Sequence, residues 1–397
     1  MGKRALIAGG SLAGLTAGIL LRRQGWHVDI FERVAEDLAD RGGGIATQDE
    51  MWEVLADAGL DVAHRPGVRL HRRAVFAADG SIVEERPIDE IVTAWDTLYR
   101  LLMAAFPADL YHRGRTVSAV DQTEDGVALT FDDGGRARGD LVVAADGAGS
   151  TIRGQFCPDV KPEYANYIAW RGLVTEGDLP PLVRRELVDA FSFCLPPGEQ
   201  MLSYTVPGPR GEEAPGQRRH NFVWYQPAEP EHVLPDLVTD AEGKLHHPNI
   251  PPPKIRAEVV ERMRAHADAV LSPAYAALVR ATEQPFIQPI ADQCAPRLAF
   301  GRVALIGDGA ALARPHVGAG TSKAMSDAHA LAEALGDGTD IDAAIQRYES
   351  ERLPVARRMV EHGRWLGRGL DPANAPGGDD QAPETLLTKT ARGRPDR

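Results

Sequence analysis

The sequence predicts an α/β protein in which a parallel, dinucleotide-type sheet is interleaved with a mainly antiparallel β-sheet domain. Three observations predict it. A glycine-spaced turn, IAGGSLAGLT from Ile7 to Thr16, joins an apolar strand to an apolar helix. The strand that follows ends in Glu32. From about Glu163 to Gln288 the texture changes to short aromatic strands, before α/β character resumes at GRVALIGDG.

Taken in order, RALIAG reads as a strand, AGLTAGILLRRQG as a helix closed by Gly25, and HVDIFER as a second, parallel strand. DRGGGIATQ is a glycine-rich loop and DEMWEVLADAGL an amphipathic helix. Residues from about Val68 to Pro87 alternate like a β-meander, TLYRLLMAAFP is helical, and three strands with tight turns precede LVVAADG. NYIAWRGLV, AFSFCLP, QMLSYTVPG and RHNFVWYQP form the antiparallel sheet, followed by the helix KIRAEVVERMRAHADAVL. After GRVALIGDG come a helix starting near Thr321 and a charged helix over about Ile341 to Leu366. The expected division is therefore 1–67, 98–160 and 286–340 for the discontinuous nucleotide-binding domain, and 68–97 and 161–285 for the β-sheet domain. The helix over 341–366 and a mobile tail over 367–397 complete it.

Composition narrows the function. At 397 residues, 43% hydrophobic and 25% charged, the chain has room for about two globular domains. A formal net charge of -13 and the lack of any long basic run argue against a nucleic-acid partner. The three cysteines, Cys157, Cys194 and Cys294, are far apart and lack metal-type spacing, which predicts no metal site and a reducing, cytoplasmic setting. The apolar run Ala5 to Leu21 superficially resembles a secretory signal, but glycines interrupt it and no small-residue cleavage site follows. No segment reaches the roughly 20 apolar residues of a membrane span.

The turn nearly satisfies two phosphate-binding fingerprints. As a triphosphate loop it lacks the lysine, because Leu15 stands there; as a dinucleotide turn it has Ser11 for the middle glycine. Ser11 is small and can donate its hydroxyl to a phosphate, whereas loss of the lysine removes the main charge partner. Glu32, 18 residues after Gly14, favours the dinucleotide reading, since an acid there accepts hydrogen bonds from ribose hydroxyls. Gly9, Gly10, Ser11, Leu12, Ala13, Gly14, Glu32 and the adjacent Arg33 are thus candidate cofactor residues.

Two further stretches, LVVAADGAGSTIR and GRVALIGDGAALARPHVGAGTSKAMSDAHALAEAL, complete a set of three. With the first turn, they resemble the motifs of the flavin-dependent aromatic hydroxylases related to p-hydroxybenzoate hydroxylase. The resemblance runs to about residue 366, and YIAWRGLV, NFVWYQ and RPHVGAG place it near the hydroxypyridine hydroxylases. It implies a glutathione-reductase-type FAD domain, NADH or NADPH as a transient donor, and O2 as co-substrate. It further implies a single-component monooxygenase that hydroxylates a small aromatic or N-heteroaromatic substrate through a flavin C4a-hydroperoxide. Asp308 would then hold the ribityl chain, and Pro315, His316, Val317, Gly318, Ala319 and Gly320 would wrap the isoalloxazine. Arg100 would contact the diphosphate, and Asp146, Gly147 and Arg153 would belong to the motif tied to FAD and NAD(P)H.

Pro315 and His316 are the catalytic candidates. For His316 two readings stand: orienting the substrate and polarising a ring hydroxyl, or packing in the turn and capping the next helix. Trp170, Arg171, Tyr204, His220 and Trp224 are candidate substrate residues, but alternation of side chains forbids Trp170 and Arg171 from facing the same way. No W-x-W-x-I-P or F-x-G-x3-H-x3-W element marks a halogenase or Baeyer–Villiger enzyme. A flavin oxidase and a non-catalytic escort protein on the same fold stand as the alternatives. A homodimer is the commonest assembly to expect.

Overall fold

The computed structural model describes residues 2–39, 43–124, 126–336 and 340–370. At the centre of a six-stranded sheet, Arg4–Ala8 pairs in parallel with His27–Glu32 on one side and Leu141–Ala144 on the other, with Ile7 opposite both Ile30 and Val143. Tyr111–Arg113 and Val303–Leu305 extend it in parallel, and Ala299–Phe300 closes one edge antiparallel. The three central strands are nearly wholly buried, which is why they read as unbroken apolar runs rather than alternating ones. The helix Leu12–Arg23 has every residue from Leu12 to Leu21 buried, because it is sandwiched between this sheet and the helix Gly320–Gly336.

A nine-stranded sheet forms the second layer. Its order is Ala311–Leu312, Phe286–Cys294, Glu163–Thr175, Arg219–Pro227, Gln200–Val206, Ala190–Cys194, Val68–Phe76, Ile82–Ala94 and Gly44–Ala46. All neighbours are antiparallel except Ala190–Cys194 with Val68–Phe76. One face of this sheet packs on the helices Ala257–Val270 and Pro273–Ala281 around Trp170, Trp224, Phe222 and Tyr275. The sheet also draws in Gly44–Ala46 and Phe286–Cys294, so the chain crosses between the two layers more often than the expected division implies.

A separate three-stranded sheet of Val117–Thr123, Gly126–Phe131 and Arg136–Gly139 packs against the core of the parallel layer through Val120, Leu129 and Phe131. The helix Ile341–Leu366 has the expected bounds and buries one stripe, including Ile345, Tyr348, Ala356 and Val360. The expected mobile tail needs a correction at its start. Residues 367–370 continue as an ordered turn, and Leu370 is buried in the cluster that holds Tyr167 and Tyr225, where its apolar side chain fills a gap. The remainder of that tail, 371–397, lies outside the described residues.

Candidate active site

The first border of the site is the turn at residues 9–14. Gly9 has φ of 102°, and a Cβ there would stand 2.2 Å from the Ala145 carbonyl oxygen. A Cβ on Gly14 would stand 1.9 Å from the Gly9 carbonyl oxygen, so both positions exclude any side chain. Ser11 occupies the N-cap position with no side-chain capping bond, and with Leu12 and Ala13 it lines a cavity of about 410 Å³. The first-turn N–H groups lack intrahelical acceptors and form the positive end of the helix. Glu32 is buried beneath the turn: one carboxylate oxygen accepts the Gly10 N–H at 2.8 Å and the other the Val34 N–H at 2.9 Å. It therefore braces the turn from the strand end, while Arg33 is exposed.

Gly147 lines the same cavity, and beside it Asp146 accepts the Ser150 hydroxyl at 2.6 Å and the Ile152 N–H at 3.2 Å. Burial pushes the Asp146 carboxyl above its ordinary range. Arg153 is buried behind this loop and donates to the carbonyls of Ala148 at 2.7 Å and Gly309 at 3.2 Å, clipping two cavity-bordering loops together.

Asp308 opens into the cavity from the turn that starts at Gly307, and the surrounding protein pushes its carboxyl upward. What holds that turn went unread in the sequence. Lys323 Nζ donates to the Gly307 carbonyl at 2.9 Å and pairs with Asp327 at 2.7 Å, and Asp327 in turn accepts the Gly307 N–H and pairs with Arg352. The i,i+4 spacing of Lys323 and Asp327 was the available signal.

Pro315, His316, Gly318, Ala319 and Gly320 border the cavity, whereas Val317 is buried beneath them. His316 Nε2 lies 2.9 Å from the Tyr167 hydroxyl, and its ring centroid is 4.2 Å from that of Tyr225. Burial, with Arg314 nearby, drives the imidazole pKa down to about 3, so it is neutral at working pH. Arg100 does not line the cavity: its guanidinium donates to the carbonyls of Ala39 and Pro209. Trp95, at the start of the same helix, does line it.

The opposite wall is the antiparallel sheet. Arg171 and Tyr204, both expected, face the cavity together with Tyr225, Gln200 and Gln288, which were not expected. Phe191, Phe193, Leu202 and Val223 supply its apolar surface. Trp170, Trp224 and His220 require a correction, because they lie on the other face and do not reach the cavity. The reason is period two: Arg171 pairs with Val223 and Tyr204 with Asn221, which turns the even-numbered residues of 219–227 away. Trp224 instead donates to Glu199 at 2.8 Å, and His220 Nδ1 lies 3.1 Å from the Thr205 hydroxyl.

The family model described as "FAD binding domain-like" matches residues 164–292. The 2,6-dihydroxypyridine 3-monooxygenase of Paenarthrobacter nicotinovorans is 31% identical over 355 residues, covering 88% of this chain and 87% of that protein. The chain belongs to the FAD-dependent aromatic-ring monooxygenases. The 3-amino-4-hydroxybenzoate 2-monooxygenase of Streptomyces cremeus is 29% identical, covering 94% of this monooxygenase and 89% of the relative. The solved structure of 2,6-dihydroxypyridine-3-hydroxylase from Arthrobacter nicotinovorans superposes with a TM-score of 0.88 at 28% identity, covering 96% of each chain. The match extends over both sheets, and the mixed α/β architecture is that of a flavoprotein hydroxylase.

Proposed function

We propose that this monooxygenase hydroxylates a small, electron-rich hydroxypyridine- or phenol-type ring, with NADH or NADPH as a transient electron donor. The observation that carries the reading is one continuous cavity, bordered at one end by a helix N-terminus and Asp308 and at the other by an aromatic sheet wall. The residues present fit FAD. Gly9 and Gly14 leave room for nothing but backbone at the turn, so a diphosphate reaches the first-turn N–H groups of Leu12–Arg23. Asp308 is placed to accept from polyol hydroxyls, and N–H groups at Gly318, Ala319 and Gly320 begin a helix whose positive end favours a negatively charged ring edge.

Bound FAD supplies the activation of O2. The chain's own residues position and desolvate the ring: Tyr204, Tyr225, Phe191 and Trp95 give it flat apolar contact, and Arg171, Gln200 and Gln288 give it polar anchors. His316, neutral and engaged with Tyr167, acts as a positioning group beside the loop. The parallel layer fits a glutathione-reductase-type domain, with Gly44–Ala46 and Phe286–Cys294 joining the antiparallel sheet instead, and a cytoplasmic homodimer completes the proposed setting. The test is aerobic turnover of FAD-loaded protein with NADH or NADPH under isotopically labelled O2, over a panel of hydroxypyridines and phenols. The reading expects a ring product carrying one labelled oxygen atom. Hydrogen peroxide alone, with every ring unchanged, would contradict it.

A further inference from the structure

The cavity wall formed by the antiparallel sheet has a direction. Strand register places Phe193 opposite Leu202, Leu202 opposite Val223 and Val223 opposite Arg171, so these four side chains form one straight row across four neighbouring strands. All four line the cavity. At about 4.8 Å between strands the row is about 14 Å long, whereas a single six-membered ring covers about two neighbouring strands. The row is also graded. At the Arg171 end the side chains are polar, with Arg171 Nη1 donating to Gln288 Oε1 at 3.1 Å. From Val223 onward they are apolar, and Phe191, which lines the cavity beside Phe193, completes that end.

We propose that this wall takes a substrate longer than one ring: an electron-rich ring at the Arg171 end, carrying an uncharged apolar extension that runs along Val223 and Leu202 to Phe193 and Phe191. The inference rests on the reading of the cavity as the ring-binding site, and adds to it what the ring carries. The residues that fit FAD, at the Gly9 to Gly14 turn, Asp308 and the loop ending at Gly320, border the cavity from the other layer, so the row on the sheet is left to the substrate. The far end of the row is preformed. The Phe191 ring centroid lies 4.8 Å from that of Tyr204 and 5.3 Å from that of Phe193, both stacked, and burial raises the Tyr204 phenol to about 12, so it stays un-ionised. Beyond Phe191 stands its cross-strand partner Arg73, which is buried, pairs with Glu90 at 2.9 Å and lies 4.7 Å from the Phe191 ring centroid. Arg73 does not line the cavity and marks where the row ends. A charged tail laid on this end would give up its water for aromatic rings, whereas apolar surface is buried there at a gain proportional to its area.

The extension can be an aromatic ring or an alkyl chain, and the probes separate them. FAD-loaded protein is titrated, by the flavin absorbance change, with phenol, 4-ethylphenol, 4-butylphenol, 4-octylphenol and 4-phenylphenol, and with 4′-hydroxybiphenyl-4-carboxylate. Affinity is expected to rise about fourfold per methylene from phenol to 4-butylphenol and to stop rising before 4-octylphenol, which overruns the row. 4-Phenylphenol should bind about 10- to 100-fold more tightly than phenol, and the added carboxylate should cancel that gain. Tighter binding of 4-phenylphenol than of 4-butylphenol identifies a flat aromatic extension, and the reverse identifies an alkyl one.

Phe191→Asp, whose carboxylate would stand beside Arg73, should lower the affinity for 4-phenylphenol at least about tenfold more than the affinity for phenol, and Phe191→Leu should restore most of that difference. A residue that served only to hold the sheet together would lower both equally. Where Phe191→Asp does not fold, the wild-type series carries the test by itself. Equal affinity for phenol and 4-phenylphenol, undiminished binding of the carboxylate, or a rise that continues unbroken through 4-octylphenol would overturn the proposal and leave the hydroxylase reading standing. If no ring of any kind perturbs the flavin, the ring-binding reading falls and takes this one with it.

Discussion

The two faces of the antiparallel sheet are built from the same strands and do different work. On one, Trp170, Phe222 and Trp224 are sealed against two helices, and His220 is buried beside Thr205. On the other, Arg171, Tyr204, Val223 and Tyr225 line the cavity. The side chains alternate, so the sheet keeps an apolar backing directly behind the residues that line the cavity. What separates core from site here is parity along the strand, not residue type: each face has its aromatic rings and its polar groups.

That comparison can be broken by changing one face at a time. The largest effect is expected from Trp224→Ala, which deletes a fully buried ring and its bond to Glu199. Denaturant unfolding should show a loss of about 3–5 kcal/mol, with ligand affinity of the surviving folded protein nearly unchanged. If ligand affinity falls in step with stability, the two faces are not separable as described.

A smaller effect follows from His220. Burial lowers its pKa from 6.5 to about 3, so the folded protein holds it neutral while the unfolded chain takes up a proton below about pH 6.5. Its share of stability is therefore complete above that pH and is lost as the pH falls from about 6.5 towards 3, by about 1.4 kcal/mol per pH unit. His316 has the same sign and adds a second proton. His220→Asn should remove one proton's worth of slope from stability measured between pH 7 and 5, and an unchanged slope would place the imidazole in contact with solvent. The smallest effect is expected from Ser11→Gly. Ser11 makes no capping bond and its replacement restores the third glycine of the turn, so FAD content after purification should stay the same.

Much of this was legible in the sequence because local rules govern it. The turn at Gly9 to Gly14 is set by steric exclusion that only glycine meets, and the helix Ile341–Leu366 by a long, regular stripe. Arg171 and Tyr204 were legible as residues but not as a face. Alternation supplies two faces without saying which is covered, and the covering helices Ala257–Val270 and Pro273–Ala281 come from a distant stretch of chain. Tyr225, Gln200 and Gln288 were missed for the same reason: they join Arg171 only through cross-strand register. The reach of Arg100 to Ala39 and Pro209, and the bracing of Gly307 by Lys323 and Asp327, likewise depend on tertiary neighbours rather than on spacing alone.

The most direct test of the central claim, that the Arg171 face of the sheet receives the ring, is anaerobic stopped-flow reduction of FAD-loaded protein by NADH or NADPH. It is run with and without 2,6-dihydroxypyridine and a set of phenols. In the wild type a bound ring should speed flavin reduction by at least about tenfold, or 1.4 kcal/mol of barrier. Leu202→Trp, which fills the cavity from that face, should abolish the acceleration, and His220→Asn on the opposite face should preserve it. Acceleration that survives Leu202→Trp, or a flavin whose reduction no ring accelerates, would contradict the account.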